Sequence, residues 1–253
     1  MNQARTVDPP AVWGHRGAMD FAPMNTLASF REAIAQGATG IELDVHLSAD
    51  GQVIVIHDDT LEATTNGTGP VGELTLAQLK ALDAGAWFDS RFTGERIPTL
   101  LEVFADMPVT TMVNVEIKSR FGLSGNDLAA LVGLTLDVVR SCKRESTVIF
   151  SSFDPRAIRL LTRLAPEIER ALLIDRQRPW WLALASLGLK MHAVHPHRLR
   201  VTRRMVAAAH RRVWRVHVWT VNDPAEAKHL ARLGVDALIS NRPAEIQHGL
   251  QEG

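Results

Sequence analysis

The sequence has a single cysteine, Cys142, so no internal disulfide can form and no second thiolate can share a metal; a reducing compartment fits. It also has no net charge: 28 lysines and arginines offset 28 aspartates and glutamates in 253 residues. That balance removes the broad basic field of nucleic-acid and acidic-membrane binders, so any anion must be recognised locally. Long apolar runs are missing too. Residues Met1 to Pro10 hold no apolar core of signal-peptide length, and Pro179 to Leu189 is far shorter than the roughly 20 residues that span a bilayer. Neither secretion nor stable membrane association is expected, and the predicted location is cytoplasmic. With no tandem repeat, low-complexity stretch or linker, residues 1–253 are expected to form one domain.

What is present points to a large α/β core. Hydrophobic residues make up 46% and charged residues 22% of the chain, ordinary for a globular protein, and the length suits one barrel of about 250 residues. Short apolar, strand-like segments recur eight times: Ala11 to Gly14, Thr39 to His46, Thr111 to Ile117, Thr147 to Ser151, Glu169 to Ile174, Met191 to His195, Arg215 to Val221 and Val235 to Ser240. Helical patterns alternate with them at Thr26 to Gln36, Leu100 to Met107, Gly125 to Lys143, Pro155 to Leu164, Pro179 to Leu187, Val201 to Arg211 and Pro224 to Leu233. Asn25, Asp154 and Asp223 stand at N-cap positions, Pro155 and Pro224 in first turns, and Gly37, Gly188 and Gly234 after helix ends. Eight strands joined by helices imply parallel pairing with right-handed crossovers, and the simplest closure is a (β/α)₈ TIM barrel.

One segment breaks the alternation. Gln52 to His57 follows the second strand after only four residues, too few for a parallel crossover, so it must return as a β-hairpin. A turn centred on Ala49-Asp50 would bring His57 back near residue 42. The next stretch, about 59–98, is turn-rich at Thr64 to Pro70 and carries one short helix at Leu76 to Leu82; it reads as a small cap over one barrel rim.

The chemistry sits at strand ends. Glu42 and Asp44 alternate with Ile41, Leu43 and Val45, so both carboxylates point to one face and share a pocket. Asn114-Val115-Glu116-Ile117-Lys118 repeats the pattern one strand later. Any one acid could simply make a salt bridge at the rim, but crowded together in a desolvated site they are tolerable if a cation sits among them or if one binds a proton, and a metal is the better explanation. An all-oxygen set with no cysteine favours Mg²⁺ or Ca²⁺, with Mn²⁺ also possible, over zinc. His15 and Arg16 end the first strand beside Gly14 and Gly17: one offers a proton carrier, the other a planar fork for phosphate oxygens. A lone histidine is more often structural, but the hairpin brings His57 to the same pocket, and a pair suits one acid and one base. Phe88, His195 and Trp219 are further pocket candidates, whereas His46, His192 and His197 read as rim groups, Trp180 and Trp181 as helix packing, and Arg198 to Arg212 as a solvated face.

Taken in order, HRG at 15–17, APMNTLASF at 22–30, GIELDVHLSADG at 40–51, VIHDDTL at 55–61, TTNGTG at 64–69, VEIK at 115–118, SSF at 151–153 and VWTVN at 218–222 resemble the glycerophosphodiester phosphodiesterase family nearly end to end. The insertion looks like the small cap of cytosolic bacterial members. The resemblance implies that Glu42, Asp44 and Glu116 hold a divalent metal, that His15 and His57 act as acid and base, and that Arg16 and Lys118 bind phosphate. It implies hydrolysis of small glycerophosphodiesters, such as glycerophosphocholine or glycerophosphoethanolamine, to sn-glycerol 3-phosphate and an alcohol. Two positions depart from the family pattern: Met24 stands where glutamate is usual and Asn241 where aspartate is usual. The alternatives are a lysophospholipase D on the same scaffold and a non-catalytic phosphodiester-binding protein.

Overall fold

The computed structural model describes residues 9–119, 124–175 and 188–252. Nine strands form one sheet: β1 (Ala11–Gly14), β2 (Gly40–Leu47), β3 (Val53–Val55), β4 (Met112–Ile117), β5 (Val148–Ser152), β6 (Glu169–Ile174), β7 (Ala193–Pro196), β8 (Arg215–Val218) and β9 (Ala237–Ser240). All but β3 pair in parallel, from β2 through β4 to β9 and back to β1, and the β1–β2 pairing closes an eight-stranded barrel. The expected TIM barrel is therefore the fold. Helices α1 (Leu27–Ala35), α2 (Leu76–Ala81), α3 (Leu100–Asp106), α4 (Gly125–Ser141), α5 (Pro155–Leu164), α6 (Arg203–His210), α7 (Pro224–Leu233) and α8 (Pro243–Gln251) intervene or follow. No helix among the described residues is long and apolar enough to cross a membrane.

Strand alternation divides the side chains into two cores. Ile41, Leu43, Val45, Val113 and Val115 face outward, fully buried beneath Phe30, Leu100, Val103 and the rest of the helix layer. Inside, Trp13, Ile149, Ala171, Ala193, Ala237 and Ile239 fill the barrel. Three of these are alanines, and the room they leave is taken by aromatic rings: Trp13 meets His217 edge-on with centroids 4.7 Å apart.

Several elements differ from the expectations. The N-cap of α1 is Thr26 rather than Asn25: its hydroxyl accepts from the Ser29 amide and the Ser29 side chain answers, a reciprocal capping box. Asn25 lies at φ 58° with its side chain turned to the barrel mouth. β7 and β9 each begin two residues later than periodicity suggests, and β8 ends at Val218, after which the Trp219 indole donates to the His195 carbonyl. Helix α8 was not anticipated, and the expected helix Pro179 to Leu187, with Trp180 and Trp181, falls outside the described residues.

The hairpin is present. β2 outruns β1, which pairs only along Gly40 and Ile41, and β3 takes the remaining edge antiparallel: Val45 faces Val55, His46 faces Ile54 and Leu47 faces Val53. Continued, this register sets His57 opposite Leu43, one residue from the expected partner. The segment from Asp59 to Pro98 then builds its own apolar cluster of Leu61, Val71, Leu79, Ala84 and Ile97 on Ile54 and Ile56 of the hairpin.

Candidate active site

The turn after β1 is set by packing. Gly17 sits at φ 83°, and a Cβ there would lie 2.4 Å from Ser29 Oγ, so only glycine lets the loop press onto α1. That contact aims Arg16: its amide donates to Glu42 Oε2 at 2.9 Å, and its carbonyl accepts from Ser29 Oγ and the Asn25 amide. Asn25 in turn donates from Nδ2 to Asp44 Oδ2 at 2.9 Å. One loop thus grips two of the three acids.

Asp44 and Glu116 are register partners on β2 and β4, so their side chains rise together. Oxygens of Glu42, Asp44 and Glu116 all lie within 4.8 Å of one another, at 4%, 1% and 8% residue exposure. Lys118 Nζ stands 2.9 Å from both Asp44 Oδ1 and Glu116 Oε1, and Arg16 Nε is 3.5 Å from Asp44 Oδ2. The charges are shared unequally. Burial opposes ionisation of Asp44, yet Lys118 and Arg16 overcome it and hold that carboxyl well below the usual range. Burial and the neighbouring acids push Glu42 well up, and burial raises Glu116. Two cations do not neutralise three crowded carboxylates, and Glu42 bears the excess. This all-oxygen set can hold a metal ion.

His15 stands 4.0 Å from Glu42, yet burial and then Arg16 lower its pKa to about 3, so it is neutral and this contact is no ion pair. Its Nδ1 meets Asn241 Oδ1 at 2.8 Å. His57 faces the same charges: burial lowers its pKa, Asp44 raises it, and Lys118 and Arg16 lower it again. Its Nδ1 lies 2.6 Å from Asp58 Oδ1. Arg16 reaches Met24, with Nη1 3.2 Å from the sulfur, while its buried Nε has no hydrogen-bond partner. A thioether is a weak acceptor, so this guanidinium keeps donor capacity for an anion.

The structure therefore brings His15, Arg16, Glu42, Asp44, His57, Glu116 and Lys118 to one mouth. His195 is fully buried in the barrel, with Nε2 2.9 Å from His217 Nδ1 and its pKa lowered to about 3 by burial. It packs as core, not as a rim group. Trp219 forms an edge-on cluster with Phe153 and His197, and Phe88 stacks with Trp87 and Phe92 in the cap. Sequence reasoning missed Asn25 and Asp58 as partners of Asp44 and His57; Asp58 adjoins its histidine and could have been found. Asn241 as the partner of His15 could not, since 226 residues separate them.

Comparison with known proteins identifies the family. The profile of the glycerophosphoryl diester phosphodiesterase family matches residues 15–245. A glycerophosphodiester phosphodiesterase of Caldanaerobacter subterraneus is 35% identical over 248 residues, covering 96% of this chain and 98% of that protein. The solved structure of an Oleispira antarctica phosphodiesterase in complex with the product sn-glycerol-3-phosphate is similar at a TM-score of 0.86 and 32% identity, covering 96% and 97% of the two chains. That of a glycerophosphodiester phosphodiesterase from Agrobacterium tumefaciens gives 0.79 and 32%, covering 94% and 99%. A shared barrel, a shared length and seven polar side chains gathered at one mouth lead to one assignment: this chain is an enzyme of the glycerophosphoryl diester phosphodiesterase family.

Proposed function

We propose that the enzyme hydrolyses small glycerophosphodiesters, such as glycerophosphocholine or glycerophosphoethanolamine, to sn-glycerol 3-phosphate and an alcohol in the cytoplasm, using one divalent cation and two histidines. The observation that carries this reading is the crowding of Glu42, Asp44 and Glu116 beside Arg16, Lys118, His15 and His57. Mg²⁺ or Ca²⁺ suits the donors, and Mn²⁺ would substitute. When bound by the three carboxylates, the cation supplies charge neutralisation and polarisation at a phosphate oxygen. Arg16 and Lys118 draw the phosphodiester anion into the mouth, and Arg16, whose Nη1 meets only the weak thioether acceptor of Met24, orients it.

The surroundings of the two histidines support different roles. His15 rests on a neutral amide and is itself neutral, the state of a general base: it takes a proton from the attacking water, or from the glycerol hydroxyl next to the phosphate, in which case a cyclic phosphate forms and water then opens it to sn-glycerol 3-phosphate. His57 rests on the Asp58 carboxylate, which works against the lowering of its pKa by burial and orients the ring, so that it serves as a general acid that gives its proton up readily. As the phosphorus–oxygen bond to the alcohol breaks, His57 hands its proton to the departing alkoxide. The complex of the Oleispira relative with sn-glycerol-3-phosphate supports glycerol phosphate as the half retained here.

The test is turnover by the purified protein, chelated and then resupplied with Mg²⁺, Ca²⁺ or Mn²⁺, on several head groups and on lysophosphatidylcholine. Release of sn-glycerol 3-phosphate only when a metal is present is the expected result. Metal-independent turnover would defeat the metal assignment, a preference for lysophosphatidylcholine would recast the enzyme as a lysophospholipase D, and no turnover at all would leave a binding protein.

A further inference from the structure

At Nδ1, His15 meets not a carboxylate but an amide, and an amide has two chemically different ends. Asn241 Oδ1 lies 2.8 Å from His15 Nδ1, while Asn241 Nδ2 donates to Asp20 Oδ1 at 3.1 Å. Asp20 is held in turn by Arg242, whose Nε donates to Oδ2 at 2.5 Å. The backbone beneath is pinned as well: the Asn241 amide donates to Asn222 Oδ1 at 2.9 Å, and the His15 amide to the Ser240 carbonyl at 2.8 Å. The site of the amide is therefore fixed by β1 and β9, but which end faces His15 is fixed by Asp20 alone among these contacts.

We infer that Asp20 is a positioning residue of the hydrolase: acting through Asn241, it holds His15 in the tautomer protonated on Nδ1, with the Nε2 lone pair turned to the carboxylate site. Reversing the amide would set its carbonyl against the Asp20 carboxylate, two acceptors facing each other with no proton between them. It would also offer an N–H to His15 Nδ1, which moves the ring proton to Nε2 and blocks the lone pair. Arg242 keeps the Asp20 carboxylate turned toward the amide. This inference rests on the reading of His15 as the base. It explains how an amide at position 241 serves a base: a carboxylate accepts from either oxygen and needs no orientation, whereas asparagine needs a third residue to choose its face.

The test is a cycle of Asp20→Ala and Asn241→Asp, with His15→Ala alongside and ¹⁵N spectra of the histidine rings. Asp20→Ala should lower kcat by roughly ten- to a hundredfold with KM little changed, the scale of losing a residue that orients an active-site group from behind. Its His15 signal should move from the Nδ1-protonated pattern toward a mixture. In the Asn241→Asp background the same replacement should cost nothing further. Asp20→Glu, which keeps both acceptor oxygens, should recover part of the loss and covers the case of a poorly folding alanine variant. An unchanged kcat and unchanged spectrum in Asp20→Ala, or an equal loss in both backgrounds, overturns the inference while the function stands. Normal turnover by His15→Ala overturns the reading of His15 itself.

Discussion

Replacing Glu42 by glutamine should move the stability of the metal-free protein and its activity in opposite directions. Glu42 is buried within 4.8 Å of the oxygens of Asp44 and Glu116. Two unit charges at that separation repel by about 3.5 kcal/mol at an effective dielectric constant of about 20. Arg16 and Lys118 cancel part of this, but they lie against Asp44 and Glu116, and the excess falls on Glu42. Because the folded-state pKa of Glu42 is raised, its contribution to stability is present below the ordinary carboxylate value and is lost as pH rises through the raised one. Glutamine does not titrate. The variant should match the parent in mild acid and pull ahead toward alkaline pH, reaching about 2 kcal/mol, or roughly 4–8 °C in melting temperature for a chain of this size. Thermal unfolding in chelator across pH reads this directly. Added metal should stabilise the parent by about 2.7 kcal/mol at a hundred times its dissociation constant, and the variant much less, with turnover down by about two orders of magnitude or more. A metal-free variant no more stable than the parent at alkaline pH would refute the crowding argument, and with it the physical case for a cation.

His57→Ala should lose roughly 10²–10⁴-fold in turnover on a choline ester of glycerol phosphate but much less on a 4-nitrophenyl ester, whose leaving group needs no proton; equal losses would remove His57 as the acid. Met24→Glu gives Arg16 a charged partner in place of the sulfur at 3.2 Å, and activity should be equal or higher, so a large loss in kcat/KM would show that Met24 serves another substrate. The buried neutral His195 contributes stability that is fully present above its ordinary pKa of 6.5 and drains as pH falls toward about 3, at up to about 1.4 kcal/mol per pH unit. His195→Leu should flatten that acid limb in denaturant titrations without changing KM; an unchanged limb would show that the ring is not held neutral. Thr26→Ala should cost about 1 kcal/mol through loss of the α1 capping box, measured the same way, and a neutral result would dismiss that cap.

Much of this protein was legible in its sequence because the signals were local. Alternation along Ile41 to Val45 decided which face Glu42 and Asp44 share, a period of two that no tertiary contact alters. A gap of four residues after Leu47 decided that β3 returns, and eight strands alternating with helices pointed to a parallel barrel. Asn25 and Thr26 were read the wrong way round because either side chain can cap a helix, and only the nearness of Asp44 drew Asn25 away. What no sequence pattern contains is barrel closure. Pairing of β9 with β1 sets Asn241 against His15 across 226 residues and lets Asp20 reach Asn241 and Arg242, and inside the same closed wall His195 becomes core. Periodicity tells which way a side chain points along its own strand; which side chain it meets across the barrel depends on ring closure and stagger, and those belong to the assembled sheet.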